Sequence, residues 1–132
     1  MRILIVDDEF TARRLLKKIL SKYGDCDVVF DGEEAVQAFR LAWDEKEPYD
    51  LICLDIMMPN LDGQEVLKKI REMERERKVK AADGVHVIMM SALGDPKNVV
   101  EAYFKGGATS YLVKPIDRGL LNEAVRRLGL VT

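Results

Sequence analysis

Residues 2–9 read RILIVDDE, in which four apolar side chains, Ile3 to Val6, run straight into Asp7, Asp8 and Glu9. A short continuous apolar run of this kind describes a strand buried on both faces, as in parallel sheets. Three acids at its carboxyl end repel one another, which raises the cost of ionising them together. Either a solvated turn or a bound cation would relieve that repulsion. The stretch therefore sets two questions: where the companion strands lie, and what the acids hold.

The companions are DVVF (27–30), LICLD (51–55), VHVIMM (85–90) and SYLVKP (110–115). Helix-period segments separate them. In FTARRLLKKILSKYG, Leu15, Leu16, Ile19, Leu20 and Tyr23 share a face, and Gly24 is the stop signal. In DGEEAVQAFRLAWDEKE the face is Ala35, Val36, Phe39, Ala42 and Trp43, with Pro48 marking the exit. A third helix starts near Asp62-Gly63 and buries Val66, Leu67, Ile70 and Met73, running into QEVLKKIREMERERKVK. The charged tail Glu72–Lys80 reads as a solvated, ion-pair-laced face and is assigned no function. Asp95-Pro96 opens a fourth helix that ends at Gly106-Gly107. The last helix spans about Arg118 to Leu128, with Leu120, Leu121, Ala124, Val125 and Leu128 apolar. Alternating strands and helices predict an α/β, doubly wound (βα)5 three-layer sandwich around a five-stranded parallel sheet. In such sheets ligands bind beyond the carboxyl ends of the strands, where the strand order switches.

At 132 residues, with 48% hydrophobic and 33% charged side chains, the chain is expected to form one domain over residues 1–132. A net charge of −2 gives no support for nucleic-acid binding through bulk charge. The apolar runs are too short to span a bilayer and the start lacks a signal-peptide arrangement, so a cytoplasmic protein without membrane contact is expected. Cys26 and Cys53 have no CxxC spacing and no histidine partners, which argues against zinc or redox chemistry. His86, the single histidine, reads as a strand residue rather than a base.

Reading the strand ends gives Asp7 and Asp8 after the first, Asp55 after the third, Ser91 after the fourth and Lys114-Pro115 after the fifth. Three carboxylates, a hydroxyl and an ammonium at one edge suit phosphoryl transfer. Clustered carboxylates and carbonyls make an oxygen-rich Mg²⁺ site, which answers the question of what the acids hold. One carboxylate would act as nucleophile, and the metal, Lys114 and Ser91 would offset charge on the phosphoryl oxygens.

Taken together, ILIVDDE, LICLDIMMPNLDG, VIMMSA and YLVKP resemble the receiver domain of bacterial two-component response regulators, across essentially the whole chain. The resemblance implies a flavodoxin-like sheet of order 2-1-3-4-5 and a stand-alone receiver, of the chemotaxis type, with no output domain. Such a protein is a signalling switch rather than an enzyme, limited to self-catalysed phosphotransfer and autodephosphorylation. Asp55 would be the phosphoacceptor. Asp8, Asp55 and the Met57 backbone carbonyl would bind Mg²⁺, with Mn²⁺ as a substitute, and Asp7 would act through water. Lys114 would pair with Asp55 and then with the phosphoryl group, ahead of a cis bond to Pro115. Ser91 and Tyr111 would be the switch pair, moving the loop 92–95 and the surface of the fourth helix, fifth strand and last helix. Pro59 and Gly63 belong to the family signature after the phosphoacceptor. Expected partners are a sensor histidine kinase or histidine phosphotransfer protein and an unknown downstream protein, with the receiver a monomer or a phosphorylation-dependent dimer. Three competing readings fit less well. A dehalogenase-type phosphohydrolase wants an aspartate where Met57 stands, a phosphate-independent module would have lost Asp55, Lys114 or an acid-pair residue, and a nucleotide-binding domain wants a glycine-rich turn where DDEFTA stands.

Overall fold

The computed structural model describes residues 1–92 and 107–130. In chain order these form β1 (Arg2–Val6), α1 (Phe10–Leu20), β2 (Asp25–Val29), α2 (Gly32–Asp44), β3 (Leu51–Asp55), α3 (Gly63–Glu76), a 3-10 turn (Ala81–Asp83), β4 (His86–Ser91), β5 (Ser110–Val113) and α4 (Arg118–Arg127). The strands hydrogen-bond in the order β2-β1-β3-β4-β5, every pair parallel. This is the expected doubly wound sheet of order 2-1-3-4-5. The predicted fourth helix, 95–107, lies outside the described residues but for its last position, Gly107.

Side chains alternate across a strand, so the apolar runs feed two cores at once. Leu4, Val6, Ile52, Leu54, Val87 and Met89 pack with Ala35, Val36 and Phe39 of α2 and Val66, Leu67 and Ile70 of α3. Ile3, Ile5, Leu51, Cys53, Ile88 and Met90 pack on the other face with Leu16, Ile19 and Leu20 of α1 and Leu121, Ala124 and Val125 of α4. Cys53 is therefore core filling. Three helices start alike: Asp31, Asp62 and Asp117 accept the N–H of Glu34, Glu65 and Leu120 at 2.8, 2.9 and 2.9 Å, satisfying donors that a helix start leaves free.

Several local expectations are corrected. Strand two ends at Val29 rather than Phe30, whose ring is 55% exposed. Leu15 and Leu120 stay outside the core because each precedes by one residue, and so by about 100° of helix, a fully buried neighbour, Leu16 and Leu121. The charged tail is not solvated throughout. Glu74 is buried, with Oε1 paired to Arg71 Nη1 and Oε2 accepting the Val85 N–H, both at 2.7 Å. Arg71 Nη2 in turn donates to the Gly107 carbonyl at 2.8 Å. Gly107 sits at φ +76°, where a Cβ would also come 3.3 Å from Arg71 Nε. One ion pair thus joins α3 to the residues before β4 and β5.

Candidate functional site

The expected site residues meet at the carboxyl edge of the sheet. Val6 and Leu54 are paired across β1 and β3, so Asp7 and Asp55, one residue further on, leave the two strands side by side. Asp7 is fully buried: its N–H donates to the Val29 carbonyl at 3.3 Å and its Oδ1 accepts the Glu9 N–H at 2.9 Å. Asp55, also buried, accepts the Met57 N–H on Oδ1 at 3.2 Å. Gly63 is required here, because a Cβ would fall 2.3 Å from the Asp55 carbonyl oxygen. That close approach sets the start of α3 against the end of β3.

Lys114 enters from the end of β5, its N–H bonded to the Ser91 carbonyl at 2.7 Å and its bond to Pro115 cis. Its Nζ lies 2.8 Å from Asp7 Oδ2, 3.2 Å from Asp55 Oδ2 and 3.4 Å from Glu9 Oε1. The closest of the three contacts is with the buried Asp7 carboxylate. Ser91 is buried at the end of β4, and its Oγ has no partner among the described residues.

Electrostatics follow from this crowding. Burial, then the negative charge of Asp7, pushes the Asp55 carboxyl up to about 7, against the pull of Lys114. For Lys114, burial works against the charge, but Asp7 and Asp55 outweigh it and its pKa stands raised. Carboxylate oxygens of Asp7, Asp8 and Asp55 lie within 4.8 Å of one another, with Asp8 exposed and the other two buried. Three converging carboxylates, an all-oxygen donor set, fit a hard divalent cation such as Mg²⁺.

A family model described as response regulator receiver domain matches residues 3–126. The chain belongs to the response regulator receiver family. This receiver domain is 36% identical over 126 residues to the chemotaxis protein CheY of Bacillus subtilis, covering 96% of this chain and 95% of that protein. It is 38% identical over 128 residues to a probable transcriptional regulator of Cyanophora paradoxa, covering 96% of this chain and 47% of that protein. Among solved structures, the CheX–CheY–BeF3–Mg complex of Borrelia burgdorferi aligns over 100% of this chain and 90% of that one, with 32% identity and a TM-score of 0.81. The family places this receiver in two-component signalling, with CheY-like relatives. Among the described residues, no helix is long and apolar enough to cross a membrane.

The remaining expected positions are arranged as follows. Met57 and Pro59 are exposed on the loop after β3, and Tyr111 is 45% exposed on β5. Sequence reasoning missed two groups that reach the site. Glu9 reads as one of three acids, and its contact with Lys114 depends on the turn into α1. Arg13 donates from Nη1 to the Asp7 carbonyl at 2.8 Å. Neither contact follows from helical periodicity, which ranks positions by hydrophobicity alone.

Proposed function

We propose that this receiver accepts a phosphoryl group on Asp55 from the phosphohistidine of a histidine kinase or phosphotransfer protein. Its helix–strand surface around Tyr111 would then engage a downstream protein or pass the phosphate on. The observation that carries the reading is the buried Asp55, held 3.2 Å from Lys114 and beside Asp7 and Asp8. A lone pair on an Asp55 oxygen attacks phosphorus, the donor's P–N bond breaks, and the leaving imidazole nitrogen keeps that electron pair and takes a proton from solvent.

Bound Mg²⁺, or Mn²⁺ in its place, would supply positive charge at the carboxylates and phosphoryl oxygens. Asp8, Asp55 and the Met57 carbonyl would hold it, and Asp7 would act through water. Lys114 moves from a carboxylate partner to a phosphoryl partner, and the Ser91 hydroxyl gains an acceptor. Displacement of Ser91 toward the phosphoryl group draws Tyr111 inward and reshapes the surface built on β5 and α4. Residues 1–132 would act in the cytoplasm as one receiver unit, as monomer or phosphorylation-dependent dimer, its chemistry limited to its own phosphorylation and dephosphorylation.

Intact-mass spectrometry after incubation with acetyl phosphate and Mg²⁺ tests this. One added phosphoryl group, absent from Asp55→Asn and from a metal-free control, supports the reading. No adduct, together with no binding of beryllofluoride, overturns it.

A further inference from the structure

The turn that carries the acid pair is held from outside the site. Arg13 Nη1 donates to the carbonyl oxygen of Asp7 at 2.8 Å. Its guanidinium carbon also meets two aromatic rings, 5.8 Å from the centroid of Phe10 and 5.6 Å from that of Phe30. Both rings are otherwise costly to display, being 67% and 55% exposed. Cation–π contacts restrict a planar guanidinium and so hold the donor in place.

The Asp7 carbonyl belongs to the peptide that joins Asp7 to Asp8. A peptide is a rigid plane, so holding its oxygen fixes the plane and with it the direction in which Asp8 leaves the chain. The same corner is tied on its inner side by the Glu9 N–H on Asp7 Oδ1. Asp8 is the exposed member of the three-carboxylate group. As a turn residue at the surface it has the most freedom to lose.

We infer that Arg13, in cation–π contact with Phe10 and Phe30, is a positioning residue that sets the Asp7–Asp8 peptide and so the geometry of the divalent-cation site. The inference rests on the proposed metal role of the acid group. Its sign separates it from simple charge effects. Arg13 is a cation beside an acidic site, so as a mere charge its removal would tighten Mg²⁺ binding. As a positioning group its removal weakens binding, because the carboxylates must be ordered by the metal itself.

The test is a calorimetric Mg²⁺ titration of the unphosphorylated wild type, Arg13→Met, Arg13→Lys and the double variant Phe10→Leu/Phe30→Leu, each with a thermal melt. Loss of an outer-shell partner of metal ligands weakens affinity by about 10–100-fold, and Arg13→Met is expected near the lower bound. Arg13→Lys keeps the charge but not the fork, and recovers only part of the loss. The double phenylalanine variant keeps the arginine, weakens binding less than Arg13→Met, and carries the test if Arg13→Met fails to fold. Folded variants with Mg²⁺ affinity unchanged or tighter overturn the inference alone. Wild-type protein that binds no Mg²⁺ overturns the metal reading and this inference together.

Discussion

Lys114 Nζ stands 3.2 Å from Asp55 Oδ2, and the same ammonium reaches Asp7 Oδ2 at 2.8 Å. One cation therefore holds together two buried carboxylates that repel each other. Lys114→Met should slow phosphorylation of Asp55 by acetyl phosphate by more than tenfold, since an oxyanion-stabilising donor is typically worth about 10²–10³ in rate. The same substitution should tighten Mg²⁺, because a competing positive charge has gone. Parallel rate and calorimetric measurements would show the two effects running in opposite directions.

The Asp55 carboxyl, pushed up to about 7 from an ordinary 3.8, gives the metal-free protein a pH dependence. Between those values the folded state holds a proton that the unfolded state has released. Stability must therefore fall as pH rises through that window, and level off above it. Denaturant unfolding without metal should be harder at about pH 5 than at about pH 8. Asp55→Asn removes the penalty and should stabilise the metal-free protein above neutrality by on the order of 1–2 kcal/mol. Saturating Mg²⁺ should flatten the wild-type slope and release protons on binding, which calorimetry in buffers of different ionisation enthalpy detects.

Ser91 buries a hydroxyl oxygen without a partner among the described residues. With no partner for its Oγ among the described residues, Ser91→Ala should change unfolding free energy by no more than about 0.5 kcal/mol. Its effect should surface after activation. In the wild type, beryllofluoride should shift the Tyr111 amide resonance, and in Ser91→Ala that shift should shrink while the analogue still binds.

Glu74 has the opposite character, a buried carboxylate with both oxygens engaged. Glu74→Ala leaves the Val85 N–H without its acceptor and the Arg71 guanidinium without its carboxylate, and should cost about 2–4 kcal/mol in urea unfolding. Phosphorylation of Asp55 in the folded fraction should proceed at an unchanged rate.

Much of the fold and the site could be read from the chain, for a physical reason. Runs such as Ile3–Val6 and Leu51–Leu54 are apolar at every position, which a parallel sheet covered on both faces demands and few other structures do. Asp7, Asp8, Asp55, Ser91 and Lys114 follow directly on such runs, so strand geometry delivers them to one edge. What stayed hidden depends on side-chain reach across loops. Glu74 reads as a solvated charge because its partners are a neighbour on the helix and a backbone N–H eleven residues away. Leu15 and Leu120 read as part of the apolar positions of their helices because hydrophobicity alone does not fix the phase of a helix to within one position. Arg13 was one cation among several on α1, and only the fold brings Phe30 beside it.

The two-sided burial of β1 carries a last consequence. Its odd positions, Ile3 and Ile5, belong to one core and its even positions, Leu4 and Val6, to the other, yet all four are aliphatic. A slip of one residue would leave hydrophobicity almost untouched while exchanging the buried, lysine-paired Asp7 for the exposed Asp8. Strand register thus serves as the address of the charges. A single-residue deletion within Ile3–Val6 would yield a sheet that still forms but presents a scrambled acid pair, a folded receiver that has lost its place for the signal.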